Sequence, residues 1–234
     1  MLKVHVDAVN HSPEVWRMGV IKLDAYVLVL RGKDCLTFLD GLSTNKVDGT
    51  CTTVFTTQNA KVIDMVDVID KGNFVALVGY MPYKETLLSH ISNRILGQDV
   101  SIGDASVNNS VFFSTEDIEV VDDITKVKTS RGYLVVTPKS LELEETMTVE
   151  EFDNYRVKNL IPYQGKEITP KDHPLACGLG EFVHESKGCY IGQEILVRMR
   201  SRGRQGKKLV RLANPVENPT TIGKTHSLCI VRDK

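Results

Sequence analysis

The apolar positions of this chain fall into short runs broken by glycine, proline and Asx residues. Val27 to Leu30 predicts a buried strand that turns at Arg31-Gly32. Asp34 is placed to cap a short helix carrying Leu36, Phe38, Leu39 and Leu42. Thr52 to Thr57 is rich in β-branched residues. After a turn at Gln58-Asn59, Val62 to Ile69 predicts a strand that includes Asp64 and Asp67, and Phe74 to Val78 predicts another. Pro82 opens a helix with Leu87, Leu88, Ile91 and Ile95 at helical spacing, ended by Gly97. Val111 to Phe113, Ile118 to Val121 and Tyr133 to Thr137 are further strands. Thr148 and Glu151 form a capping-box pattern for a helix reaching about Leu160, closed by Pro162. From Arg204 the chain is basic, then rich in Pro, Asn and Thr. It has strand-like runs at Lys208 to Leu212 and Leu228 to Val231, and is too short for an independent domain. Strands and helices alternate without a strict βαβ rhythm, so the expected class is α+β.

Length and composition narrow the function classes. A chain of 234 residues suits one large domain or two small ones. With 41% hydrophobic and 25% charged residues it has an ordinary globular composition. A formal net charge of −1 argues against a protein that coats nucleic acid. No apolar run approaches the roughly 20 residues of a membrane helix. Met1 to Asn10 lacks the basic and apolar regions of a secretion signal. The five cysteines, Cys35, Cys51, Cys177, Cys189 and Cys229, are odd in number and scattered. That argues against a disulfide framework and fits a reducing cytoplasm. No CxxC or close Cys/His pair marks a metal site.

The candidate chemistry centres on Lys187-Gly188-Cys189-Tyr190-Ile191-Gly192-Gln193-Glu194. An apolar side chain would fill a core position as well as Cys189 does, and flanking glycines weaken regular structure. The segment therefore reads as a site with Cys189 as its reactive group, beside the cation Lys187 and with Arg198 and Arg200 close in sequence. Gln193 and Glu194 open a helix or strand through Ile195-Leu196-Val197. The stripe from Arg198 to Lys208 alternates cations with small or polar residues. It suits an acidic ligand or phosphates, but without aromatic residues it is a poor platform for single-stranded bases. Asp64 and Asp67 lie on opposite faces of their strand, so at most one faces any given pocket; an isolated strand Asp most often faces solvent. Phe152 and Tyr155 share one helix face, as core or as a stacking surface.

Lys187 to Glu194 resembles the KGCYxGQE signature of the YgfZ family. That family belongs to a wider group of folate-binding proteins related to the glycine-cleavage T-protein (GcvT, aminomethyltransferase). Leu30-Arg31-Gly32 with Phe38 to Asn45, Arg156 with Pro162, and Arg198 with Arg202-Gly203 resemble weaker blocks in the same order. The resemblance implies a folate-binding fold of ferredoxin-like units around a central pocket over residues 1–204, with 205–234 as a short remnant of a C-terminal β-barrel. It implies a tetrahydrofolate-binding accessory protein for iron–sulfur cluster assembly or repair, with iron–sulfur client enzymes or assembly proteins as partners. Cys189 and Asp64 are the implied catalytic residues. The implied contacts to tetrahydrofolate or a one-carbon derivative are Tyr26, Asp64, Phe152, Arg156, Lys187, Gly188, Tyr190, Gly192, Gln193, Glu194 and Arg198, and no metal ligand is implied.

The chain departs from the T-protein pattern at two carboxylates and a glycine. Where the T-protein carries a pterin-binding glutamate in an R-x-E-A-G segment, this chain reads Arg156-Val157-Lys158-Asn159-Leu160. Ala176 stands where a second glutamate is usual. A lysine cannot accept the pterin N–H groups as a carboxylate does. Both changes count against T-protein chemistry. A tetrahydrofolate-dependent aminomethyltransferase stands as one alternative through Asp64, and an RNA-binding or RNA-modification accessory as the other through the stripe Arg198 to Lys208. The shortened tail predicts an open cleft or a homodimer that covers it.

Overall fold

The computed structural model describes residues 19–203 and 205–233; Met1 to Asn10 and Arg204 lie outside them. The first half holds β1 (Val20–Lys22), β2 (Ala25–Arg31), α1 (Cys35–Leu42), β3 (Cys51–Thr56), β4 (Val62–Asp70) and β5 (Val75–Tyr80). A 3-10 turn, Met81–Tyr83, leads into α2 (Lys84–Ser92), followed by β6 (Ser101–Asp104) and β7 (Asn109–Ser114). Then come β8 (Thr125–Thr129), β9 (Gly132–Pro138), α3 (Val149–Asn159) and α4 (Gln193–Ser201). The chain closes with β10 (Lys207–Ala213), β11 (Thr221–Ile222) and β12 (His226–Arg232).

The architecture is mixed α and β with three antiparallel sheets. Their strand orders are β3-β4-β5-β2-β6, β1-β7-β9-β8 and β10-β12-β11. The five-stranded sheet is covered on both faces. On one face Leu28, Leu30, Val66, Val68 and Leu77 pack against Phe38 and Leu39 of α1 and Leu87 and Ile91 of α2. On the other, Val27, Ile69, Ala76 and Val78 meet Val111 and Leu134 of the four-stranded sheet. Double cover explains why β4 and β5 are almost continuously apolar. It also buries both β4 carboxylates, 0% exposed at Asp64 and 6% at Asp67, in place of the solvent-facing position expected of a strand Asp. They do point to opposite faces: Asp64 shares its parity with Val66 and Val68, Asp67 with Ile69.

Three local expectations change. Ile118 to Val121 forms no strand; Ile118 and Val120 pack as irregular chain against Val20, Phe112 and Val135, and β9 pairs with β7 on one side and β8 on the other. The helix after Pro82 stops at Ser92, short of Gly97, and Ile95 packs from beyond its end. Asp34 makes no side-chain cap; its carboxylate instead accepts from the Asp99 amide at 2.9 Å, tying the start of α1 to the chain entering β6. The capping box of α3 is present: the Glu151 amide donates to Thr148 Oγ1 and the Thr148 amide to Glu151 Oε2. The three-stranded sheet rests on α3 through Val157, Leu209 and Leu228.

Candidate functional site

The signature segment is held from both sides of its cysteine. Lys187, whose side chain is 2% exposed, turns inward to the end of α1. Its Nζ donates to the carbonyls of Asp40 (2.6 Å), Ser43 (3.0 Å) and Asn45 (2.6 Å) and lies 3.0 Å from Asp40 Oδ1. A cation is favoured there because carbonyls at a helix C-terminus lack intrahelical partners. Burial pulls the ammonium below its usual pKa, and Asp40 pushes it back up. On the other side Tyr190 packs with Ala60, Leu175, Val183 and Leu196, and the Ile191 carbonyl accepts from Thr56 Oγ1 at 2.6 Å. Gly192 has φ +85°, and a Cβ on it would stand 2.8 Å from both Thr56 Oγ1 and the Thr57 carbonyl, so the approach to β3 requires glycine. Gly188 has no atom within 4 Å of such a Cβ. Between these anchors Cys189 is exposed. Gln193 and Glu194 begin α4, which settles the helix-or-strand alternative, and Glu194 pairs with Arg198 on its exposed surface.

A second polar centre lies between the two larger sheets. Arg131, in the β8–β9 turn, places Nη2 2.5 and 2.6 Å from the two oxygens of Asp67, which also accepts from Thr52 Oγ1 at 2.6 Å. Nearby, Gln164 Nε2 donates to the Met65 carbonyl. Asp67, Arg131, Gln164, Tyr80 and Tyr163 line a cavity of about 40 Å³. Asp67 and Thr129 also line a neighbouring cavity of about 290 Å³ with Asn45 and Cys51. Asn45 is the residue whose carbonyl anchors Lys187, so this second cavity runs from Asp67 to the foot of the Cys189 loop.

The other expected contacts fall in two separate cores. Tyr26 is fully buried and donates to Asp64 Oδ2 at 2.7 Å, on the helix-covered face of the sheet. Gly79 makes that contact possible, since a Cβ there would sit 2.2 Å from the Tyr26 hydroxyl and 2.4 Å from Asp64 Oδ2. Burial pushes the Asp64 carboxyl up to about 7, against the Tyr26 hydroxyl, the Tyr80 and Met65 amides and the Gln164 side chain, which lower it; through Tyr80 and Gln164 it adjoins the space between the sheets. Phe152 packs against Phe113 and Tyr163. Arg156, 0% exposed, reaches Glu167 Oε2 (3.0 Å), Asp153 Oδ1 (2.6 Å), Thr221 Oγ1 (2.9 Å) and the Ile161 carbonyl. Arg156 thus ties α3 to the segment after it and to β11, and Lys187 ties the Cys189 loop to α1. Both occupy structural positions where ligand contacts were expected.

The structure therefore divides the expected site residues into three groups: Tyr26 with Asp64, Phe152 with Arg156, and the signature loop. Asp67, Arg131 and Gln164, which do line the space between the sheets, were not singled out as ligands. The signal for them was the run of β4 itself, where a carboxylate in a doubly covered strand must find a buried partner. A carboxylate and an amide together offer acceptors and a donor to a polar ligand. The space is not sufficient while Arg131 is on Asp67, because small-molecule sites are commonly about 300 Å³ or larger. Three cations of the basic stripe are paired: Arg198 with Glu194, Lys207 with Asp172 and Lys208 with Asp233. Among the described residues no group of three or more His, Cys, Asp or Glu is placed to hold a metal ion, and no helix is long and apolar enough to cross a membrane.

No protein-family model matches this chain. The aminomethyltransferase of Alkaliphilus oremlandii (strain OhILAs) is 24% identical over 155 residues, which cover 62% of this chain and 41% of that protein. The chain thus spans less than half the length of this relative. The crystal structure of glycine cleavage system aminomethyltransferase T from Bartonella henselae matches with a TM-score of 0.73 at 12% identity, covering 92% of this chain and 78% of that one. The likeness is one of fold.

Proposed function

We propose that this chain is a folate-binding accessory protein that serves iron–sulfur enzymes through the thiol of Cys189, and that it does not transfer aminomethyl groups. The observation that carries the proposal is the exposed cysteine on a loop anchored at both ends, by Lys187 on α1 and by Ile191 and Gly192 on β3. Such anchoring holds a thiol outward at a fixed place, which a cysteine used only as core filling does not need. The similarity to aminomethyltransferases in sequence and fold supports a folate ligand. The space between the sheets is the proposed place for its ring, with Asp67 and Gln164 as partners once Arg131 swings away. The test is complementation of a deletion strain. Cys189→Ala should fold normally and fail to restore a cluster enzyme's activity, whereas full rescue by this variant overturns the role of the thiol.

Aminomethyl transfer is the second reading, favoured by the names of the similar proteins. Against it, Asp64 is wholly buried on the helix-covered face, and Lys158 and Ala176 stand where carboxylates are expected. An assay with aminomethylated carrier protein and tetrahydrofolate separates the two. The proposal expects no methylenetetrahydrofolate; its formation at catalytic rates supports the transferase.

A further inference from the structure

Tyr190 carries a polar group that the fold leaves unused. The residue is 7% exposed, and its hydroxyl is buried with no hydrogen-bond partner among the described residues. A buried O–H without an acceptor costs stability, so its presence calls for a reason. The same residue lines a cavity of about 340 Å³ on the α4 side of the Cys189 loop, distinct from the space between the sheets. Its walls are apolar, from Val183, Leu196 and Val197, and Arg200 stands at its side. The guanidinium is close enough to Tyr190 to pull the phenol pKa down against the larger upward push of burial.

Arg200 has donors to spare. Its Nη2 donates to the Gly180 carbonyl at 2.7 Å, which fixes the guanidinium in place. Its Nη1 lies 3.7 Å from Glu185 Oε1, a long contact to a carboxylate that is 86% exposed. Pairs of that kind contribute little and exchange readily. The remaining charged or titratable lining residue is His184, whose Nδ1 accepts from the Ser186 amide. A buried hydroxyl lacking an acceptor, a held guanidinium and apolar walls form a site for one kind of molecule.

We infer that this cavity binds a small aliphatic carboxylate, a function independent of the one proposed above. Its oxygens accept from Arg200, displacing the loose contact to Glu185, and from the Tyr190 hydroxyl once the ring shifts to bring that buried group to the cavity, and its hydrocarbon part lies on Val183, Leu196 and Val197. A planar carboxylate matches a guanidinium fork, and the cavity volume is that of a small-molecule site.

Calorimetric titration of the full chain with hexanoate tests the inference, with hexylamine and inorganic phosphate as controls. Hexanoate should saturate with a Kd below about 1 mM. Hexylamine should not bind, and phosphate should bind at least about tenfold more weakly for lack of apolar contact. Tyr190→Phe should weaken hexanoate by about tenfold or more while the ligand-free unfolding temperature stays the same or rises, since the orphaned hydroxyl is gone. Arg200→Gln should weaken it as well. Equal binding of hexylamine or phosphate, unchanged affinity in both variants, or no saturable hexanoate binding overturns the site.

Discussion

Arg131 holds both carboxylate oxygens of Asp67 with a single guanidinium nitrogen, at 2.5 and 2.6 Å, across the space between the two larger sheets. Arg131 lines a cavity of about 40 Å³, and Asp67 and Thr129 line both it and a neighbouring one of about 290 Å³. Shortening Arg131 should join them. Arg131→Ala is expected to bind tetrahydrofolate more tightly than the parent protein in calorimetry. It should also lose about 1–3 kcal/mol of stability, because among the described residues Asp67 is left with Thr52 alone as a side-chain hydrogen-bond partner. Unchanged or weaker folate binding would reject Arg131 as the group that closes this space.

Lys187 gives a second expectation. Its ammonium is shared among three carbonyls and a carboxylate at the end of α1. Lys187→Met keeps the apolar stem but leaves those acceptors unpaired, at a cost of about 2–4 kcal/mol in denaturant unfolding. Arginine should not rescue it, since a planar fork cannot converge on this cluster as a compact ammonium does. Faster proteolysis within 187–192 should accompany the loss.

Asp64 makes stability depend on pH. Its folded pKa, about 7, lies above the usual carboxylate range because burial penalises the charge. The folded state therefore keeps this proton when the unfolded state has already released it. Stability should fall as pH rises from about 4 to about 7. Asp64→Asn carries no charge at any of these values, so thermal unfolding across this range should lose that part of the decline. Relative to the parent, the variant should gain stability between pH 5 and pH 8. A parallel pH profile in both proteins would show that Asp64 does not titrate there.

Leu160 ends α3 in the left-handed conformation, φ 55° and ψ 40°, and is 46% exposed. This conformation costs a side chain with a Cβ about 1–2 kcal/mol, and glycine avoids that cost. After the extra unfolded-state freedom of glycine, Leu160→Gly should gain about 0.5–1 kcal/mol. That corresponds to an unfolding temperature higher by about 1–4 °C. A decrease would mean that the leucine side chain contributes more packing than its exposure indicates.

The same residue shows what the sequence could and could not carry. Leu160 was visible as a lost glycine, and the backbone explains what that glycine would have done. The capping box at Thr148 and Glu151, and the strands around Val27, Val62 and Phe74, were legible because caps and doubly covered strands leave local patterns. Ile118 to Val121 misled because Ile118 and Val120 are partly buried by irregular chain, and partial burial imposes the same apolar alternation as pairing. The site was less legible. Lys187 and Arg156 are cations that the fold consumes internally, with partners 147 and 65 residues away in sequence. The Arg131–Asp67 pair spans 64 residues, and no local pattern encodes such a distance.

The account rests on the exposed thiol of Cys189. The most direct measurement is the activity of an iron–sulfur enzyme in cells lacking this protein, after return of either the parent chain or Cys189→Ser at equal folded level. The parent should restore activity and Cys189→Ser should restore none. Equal restoration by both would contradict the account.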